Sequence, residues 1–140
     1  MSEDNRRKIQ KYYDALQVGK PAGVVEAWTA ICHPDAVLHE AASLPQGGRY
    51  EGMGRILEGM GRVAKYVADP RGVIVDHIVV DGDNVVVLLR IPWKAPGRED
   101  VVEMAVSEWY RFTDGLITEI RPFFWDTAVA AGRWSPDHPE

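Results

Sequence analysis

Residues 101–126 run VVEMAVSEWYRFTDGLITEIRPFFWD, two apolar-rich segments joined by Thr113-Asp114-Gly115. Strand-like runs on either side of an Asp-Gly turn read as a β-hairpin. Successive strand side chains point to opposite faces. In 101–112 the odd positions carry Val101, Glu103, Ala105, Ser107, Trp109 and Arg111, and the even positions carry Val102, Met104, Val106, Glu108, Tyr110 and Phe112. Glu103, Ser107 and Arg111 mark the odd face as the solvated one, so Glu108 stands alone among apolar neighbours. Desolvation there raises a carboxyl pKa and suits a protonated donor or a general acid near neutrality. The competing reading is a buried Glu108 paired with Arg90 or with a backbone group. In the second arm Glu119 and Arg121 define one face, and Leu116, Thr118, Ile120 and Phe124 the other, with Asp126 in step. A bulge at Pro122 would flip that register. Asp126 has a second reading of equal weight, as the N-cap of a short helix starting near Thr127.

Working outward, residues 73–80 and Asn84–Trp93 form a preceding hairpin around Asp81-Gly82-Asp83, and a Pro/Gly-containing loop, 94–99, links the two hairpins. The N-terminal half is helical. Ser2 can cap a helix with Ile9, Tyr12, Tyr13 and Leu16 on one face, ended by Gly19. Pro21 opens a second helix with Val24, Val25, Trp28, Ile31 and Cys32 on one face, closed by His33-Pro34. A short strand follows over 36–41, then a loop, Leu44-Pro45-Gln46-Gly47-Gly48. A third helix carries Met53, Ile56, Leu57, Met60, Val63, Ala64 and Val67. Its Gly54, Gly59 and Gly61 each cost roughly 1 kcal/mol relative to Ala, which close packing against a sheet would explain. Helices followed by an antiparallel meander predict an α+β fold. The expected organisation is one domain over 1–133 and a loose tail over 134–140.

Composition sets the outer bounds. The chain has 140 residues, with 16 Lys+Arg against 21 Asp+Glu and a formal net charge of −5. That balance argues against nucleic-acid or anionic-membrane partners, which need a basic face. Hydrophobic residues at 46% and charged residues at 26% fit an ordinary globule rather than a disordered chain. A single cysteine, Cys32, excludes an internal disulfide framework. No run reaches the ~18 apolar residues of a membrane span, and residues 1–8 lack an apolar signal core. A cytoplasmic protein is therefore expected. His39 and Glu40 point to opposite faces of their strand and cannot share a metal, and His33, His77 and His138 have no ligand spacing, so no metal is expected. A nucleophile elbow, a phosphate loop and a dinucleotide fingerprint are absent from the sequence, and no cofactor is expected. Tyr12 reads as a core residue or as a donor aimed into a cavity.

The order helix-helix-strand-helix-meander, with Tyr12-Tyr13-Asp14-Ala15-Leu16, Pro34-Asp35-Ala36-Val37 and residues 45–52 and 110–126, resembles the nuclear transport factor 2-like superfamily, and within it SnoaL-like proteins, which include polyketide cyclases. The resemblance implies a cone: a curved antiparallel sheet wrapped around three N-terminal helices and enclosing an apolar pocket, with dimerisation through the outer face of the sheet. Matched to ketosteroid isomerases, Tyr12 falls at the oxyanion-hole tyrosine, Glu40 at the general base and Glu108 at the protonated donor, with Glu in place of Asp at both acids. Matched to SnoaL-like cyclases, Asp126 lies near the last-strand acid/base. The expected site is thus Asp126, Glu108, Glu40 and Tyr12 as catalytic residues, with Trp28, His39, Met60, Arg90, Val106, Tyr110 and Phe124 contacting substrate. The expected activity is a cofactor-independent isomerase, cyclase or dehydratase acting on a small apolar carbonyl compound. A non-catalytic ligand-binding or dimeric interaction protein is the alternative, and epoxide hydrolysis a second one. Two or more convergent carboxyls with a buried tyrosine would favour the enzyme. Acids paired to Arg90 or Arg121 would favour the binder.

Overall fold

A computed structural model describes residues 2–133; the expected tail over 134–140 lies outside them. The chain folds as α1 (Ser2–Val18), α2 (Pro21–Thr29), β1 (Cys32–Glu40), β2 (Gly48–Glu51), α3 (Met53–Ala64), β3 (Ile74–Asp81), β4 (Asn84–Trp93), β5 (Val102–Thr113), β6 (Leu116–Phe124) and α4 (Thr127–Ala130). The six strands form one curved, unclosed sheet in the order β2-β1-β6-β5-β4-β3. All neighbours are antiparallel except β1 and β6, which run parallel. The α+β class holds, and that parallel pair brings the early strand β1 beside the last one.

Local chemistry accounts for most boundaries. α1 presents Ile9, Tyr12 and Tyr13 to the core, carries Glu3 and Asp4 in its first turn, where the helix dipole favours them, and ends at Gly19 with φ 80°. α2 begins on Pro21 but stops at Thr29, short of the expected Cys32. Pro34 pushes His33 into extended backbone, and Ile31 O already accepts the Ile117 N–H at 2.8 Å. The sheet thus claims Ile31 and Cys32 from the helix. β2, which begins on the last residue of the expected 44–48 loop, is a four-residue edge strand whose Tyr50 faces Leu38 of β1. Of the three α3 glycines, only Gly59 is explained by close packing: a Cβ there would lie 3.2 Å from the Tyr50 ring, whereas Gly54 and Gly61 face open space.

β5 follows its period-two reading, with Met104, Val106, Tyr110 and Phe112 buried and Glu103, Ala105 and Arg111 exposed. β6 corrects its reading. Pro122 pairs with Glu108 without any shift, and the bulge falls lower, where Arg111 faces Glu119 but Phe112 faces Ile117. The extra residue is Thr118. Below it the inward position passes to Ile117, fully buried, in place of Leu116 and Thr118.

Candidate active site

A cavity of about 330 Å³ lies between the helices and the sheet, at the small end of the size range of ligand pockets. α1 contributes Tyr12 and Leu16, α2 Trp28, and α3 Leu57 and Met60. The sheet contributes Leu38 and Glu40 from β1, Val106, Glu108 and Tyr110 from β5, and Ile120, Pro122 and Phe124 from β6. Nearly all of this wall is hydrocarbon or aromatic ring.

The polar end is built by the three adjacent strands β1, β6 and β5. Glu108 faces Pro122 across the β5–β6 ladder. The β1–β6 ladder ends at Leu38 and Ile120. Two residues further along each strand stand Glu40 and Pro122, and Pro122 has no N–H to extend the pairing. The two glutamates therefore flank one proline from either side, and both side chains reach the same cavity.

The carboxyls are held differently. Tyr13 donates to Glu108 Oε1, and the Tyr13 and Tyr110 hydroxyls lie 2.7 Å apart. Burial pushes the Glu108 carboxyl above its ordinary range, while its hydrogen bonds to Tyr13 and Tyr110 pull the other way. Glu40 has one amide donor, Gln46 Nε2 at 3.4 Å. Burial first, and the neighbouring Glu108 charge second, push Glu40 up to about 8 against a smaller opposing effect of Gln46. Because the charge of one acid raises the other, their titrations belong to the pair. Burial, and then the Glu108 charge, also raise the Tyr12, Tyr13 and Tyr110 hydroxyls, which stay protonated donors.

The expected site divides in two. Glu108, Glu40 and Tyr12, with Trp28, Met60, Val106, Tyr110 and Phe124, come together on the cavity. Asp126, His39 and Arg90 do not. Asp126 is exposed and accepts the Val129 N–H at 3.1 Å as N-cap of α4; β6 has ended by then, so its inward phase no longer carries the side chain. His39 lies on the opposite face of β1 from Glu40, 2.9 Å from Glu119. Arg90 lies on the outer face of the sheet, bidentate to Asp76 at 2.9 Å and 3.4 Å from Glu103. Neither arginine of the binder reading meets a cavity acid: Arg90 is engaged with Asp76 and Glu103, and Arg121 lies 3.5 Å from Glu119.

Two residues escaped the sequence reading. Tyr13 had a signal, its place on the apolar face of α1, but its partner is 95 positions away. Gln46 had none: it sits in a Pro/Gly loop, yet it is fully buried and its backbone carbonyl accepts the Tyr50 hydroxyl at 2.5 Å.

The sequence profile described as SnoaL-like domain matches residues 9–120. No functionally curated protein matches the chain. Solved structures share the fold at low identity. Bal32a, from a soil-derived mobile gene cassette, is 18% identical over 96% of this chain and 98% of its own, with a TM-score of 0.76. A protein from Jannaschia sp. CCS1 described as a SnoaL-like polyketide cyclase is 23% identical over 96% and 95%, with a TM-score of 0.72. TerC, co-crystallised with polyporic acid, is 20% identical over 90% and 94%, with a TM-score of 0.70.

Proposed function

We propose, from the premise that this chain belongs to the SnoaL-like domain family, that it is a cofactor-independent acid–base enzyme of the isomerase, cyclase or dehydratase type, acting on a small apolar carbonyl compound. One observation carries the reading: Glu40 and Glu108 reach a single apolar cavity that Tyr12 also lines, and among the described residues no cation is paired to either. In this reading the two acids share one proton when they act. In the reactive arrangement the shared proton has passed to Glu108: the ionised Glu40 removes a proton next to the substrate carbonyl, while protonated Glu108 and Tyr12 donate to the oxygen as it becomes an enolate. Proton transfer of this kind contributes about 10²–10⁴-fold, and donors preset for the oxyanion add several kcal/mol. Asp126, outside the cavity, has no part in the step. The fold neighbours named for a polyketide cyclase and for a polyporic acid complex support a carbon-rich small molecule as the class of ligand.

Solvent-deuterium exchange at the α-carbon of a panel of cyclic and aryl ketones, followed by NMR, tests the proposal. The wild type should accelerate exchange of at least one, and Glu40→Gln and Glu108→Gln should each lose about 100-fold. Equal exchange in all three proteins would overturn the mechanism.

The proposal extends to assembly. Leu88, Phe123 and Trp125 are exposed around a shallow depression between β4, β5 and β6. An apolar patch of this kind on the outside of a sheet supports a homodimer joined face to face.

A further inference from the structure

Among the described residues, no Lys, Arg or His lines the cavity; its only ionisable side chains are Glu40 and Glu108 and the hydroxyls of Tyr12 and Tyr110. Tyr13, just behind, adds a further donor to Glu108 and no positive charge. A ligand carboxylate or phosphate would therefore enter an apolar chamber, meet two acid side chains, and find no cation on the wall to offset its own desolvation. A protonated amine fails for a different reason. It would pair with the ionised glutamate, hold that carboxylate as its counter-ion and quench the base. A neutral carbonyl or hydroxyl compound escapes both costs, because its oxygen can accept from Tyr12 or from the protonated acid.

We infer that the cavity takes its substrate uncharged, and that the Glu40–Glu108 end turns away a carboxylate or phosphate carried on the same apolar body. The inference rests on reading these two residues as the acid–base pair and adds the charge of the substrate to that reading. The reaction that supplies the substrate must then deliver a ketone, aldehyde, ester or lactone, with any carboxyl group already esterified or lost.

Three probes that share one ring system test this by calorimetry at pH 7: 1-acetylnaphthalene, 1-naphthoate and 1-naphthylmethylammonium. The ketone should bind, and the carboxylate should bind about 100-fold more weakly, the scale of a like-charge contact at a desolvated site. In the Glu40→Gln/Glu108→Gln variant the ketone should still bind, which verifies folding, and its advantage over the carboxylate should shrink to about tenfold or less. Overturning results are naphthoate binding as tightly as the ketone, failure of the ketone to bind the wild type, or a ketone–carboxylate gap unchanged in the double variant; the amine, which can pair with the ionised glutamate, should instead suppress deuterium exchange of the ketone. Deuterium exchange at the acetyl methyl of the bound ketone separates the two claims. Preferential ketone binding without exchange would remove the acid–base reading and leave the neutral-ligand site standing. Exchange together with tight naphthoate binding would do the reverse.

Discussion

Tyr13 on α1 donates a hydrogen bond to Glu108 on β5, and so ties the first helix to the sheet through an acid that lies on the cavity wall. The same hydroxyl lies 2.7 Å from that of Tyr110, so one phenol connects three side chains. Tyr13→Phe keeps the ring and removes the connection. A buried hydrogen bond to an ionisable partner is worth about 1.5–3 kcal/mol, and the expected loss of unfolding free energy in urea titrations is of that size. Because the lost bond favours the charged form, the Glu108 carboxyl should also titrate higher in Tyr13→Phe than in the wild type. Carboxyl-carbon NMR of labelled glutamate reads that shift, and a fall or no change would contradict the role given to Tyr13.

Glu40 makes a separate prediction about stability and pH. Its folded pKa, about 8, lies above the ordinary 4.5. Between those values the folded state binds more protons than the unfolded state, so unfolding free energy falls as pH rises. The contribution is fully present below about pH 4.5, the ordinary value, and is gone above about pH 8. The sum is on the order of 3–5 kcal/mol. Denaturant melts at pH 5 and pH 9 should show the wild type losing stability across this interval. Glu40→Gln, which cannot ionise, should lose much less. A wild type as stable at pH 9 as at pH 5 would argue against a desolvated Glu40.

The same coupling predicts the pH profile of turnover. The reactive pair holds one proton, so rate should fall in acid, where both acids are protonated, and again as pH rises through about 8, where the last proton leaves. Glu108→Gln removes the charge that contributes to raising Glu40. The Glu40 titration should therefore move down in that variant, and the alkaline limb near 8 should vanish from any residual activity. A profile flat from pH 6 to 10 in the wild type would not be compatible with a shared proton.

Why some of this was legible in the sequence and some not follows from particular residues. Glu108 could be found because strand periodicity is local: its neighbours at 106 and 110 are apolar and those at 107 and 111 are polar. Glu40 was reached through family resemblance, since its inward direction depends on β1 pairing parallel with β6, a contact between the two ends of the chain. Periodicity failed for Asp126 because it extrapolated a strand past its last residue, and for Leu116 and Thr118 because a bulge shifted the phase two residues before Ile120. Arg90 was placed without a reading of its own strand. Its even place on β4 already sets it opposite the buried Val85, Val87, Leu89 and Ile91, and its partner on the outer face, Asp76, is the unpaired residue of a bulge between Val75 and His77.

Asp126 permits a clean separation of roles. As the N-cap of α4 it satisfies the Val129 N–H, and such a cap is worth about 0.5–2 kcal/mol. Asp126→Ala should therefore lower stability by about 1 kcal/mol in thermal or urea melts and leave exchange of the test ketone unchanged. Asp126→Asn, which keeps a capping oxygen, should recover most of the lost stability. If exchange fell about 100-fold in both variants with stability intact, the last-strand aspartate would return to the mechanism and Glu40 would lose its place as base.

Assembly gives the last prediction. Trp125 is 85% exposed and Phe123 55%, a large aromatic surface left in water on the outer face of the sheet. Both follow the buried Pro122 on β6, within a few residues of the end that bears Glu40 and Glu108, but Phe123 alternates away from the cavity and Trp125 lies just past the end of the strand. A second copy laid against this face would cover both rings without touching Glu40 or Glu108. Light scattering of the wild type should give twice the monomer mass, and Phe123→Ser/Trp125→Ser should give the monomer mass. The same variant should retain ketone binding, because the cavity lies on the other side of the sheet. A wild type that stays monomeric at the highest soluble concentration would rule out the face-to-face dimer, and a monomeric variant that no longer binds ketone would show that the two faces are coupled.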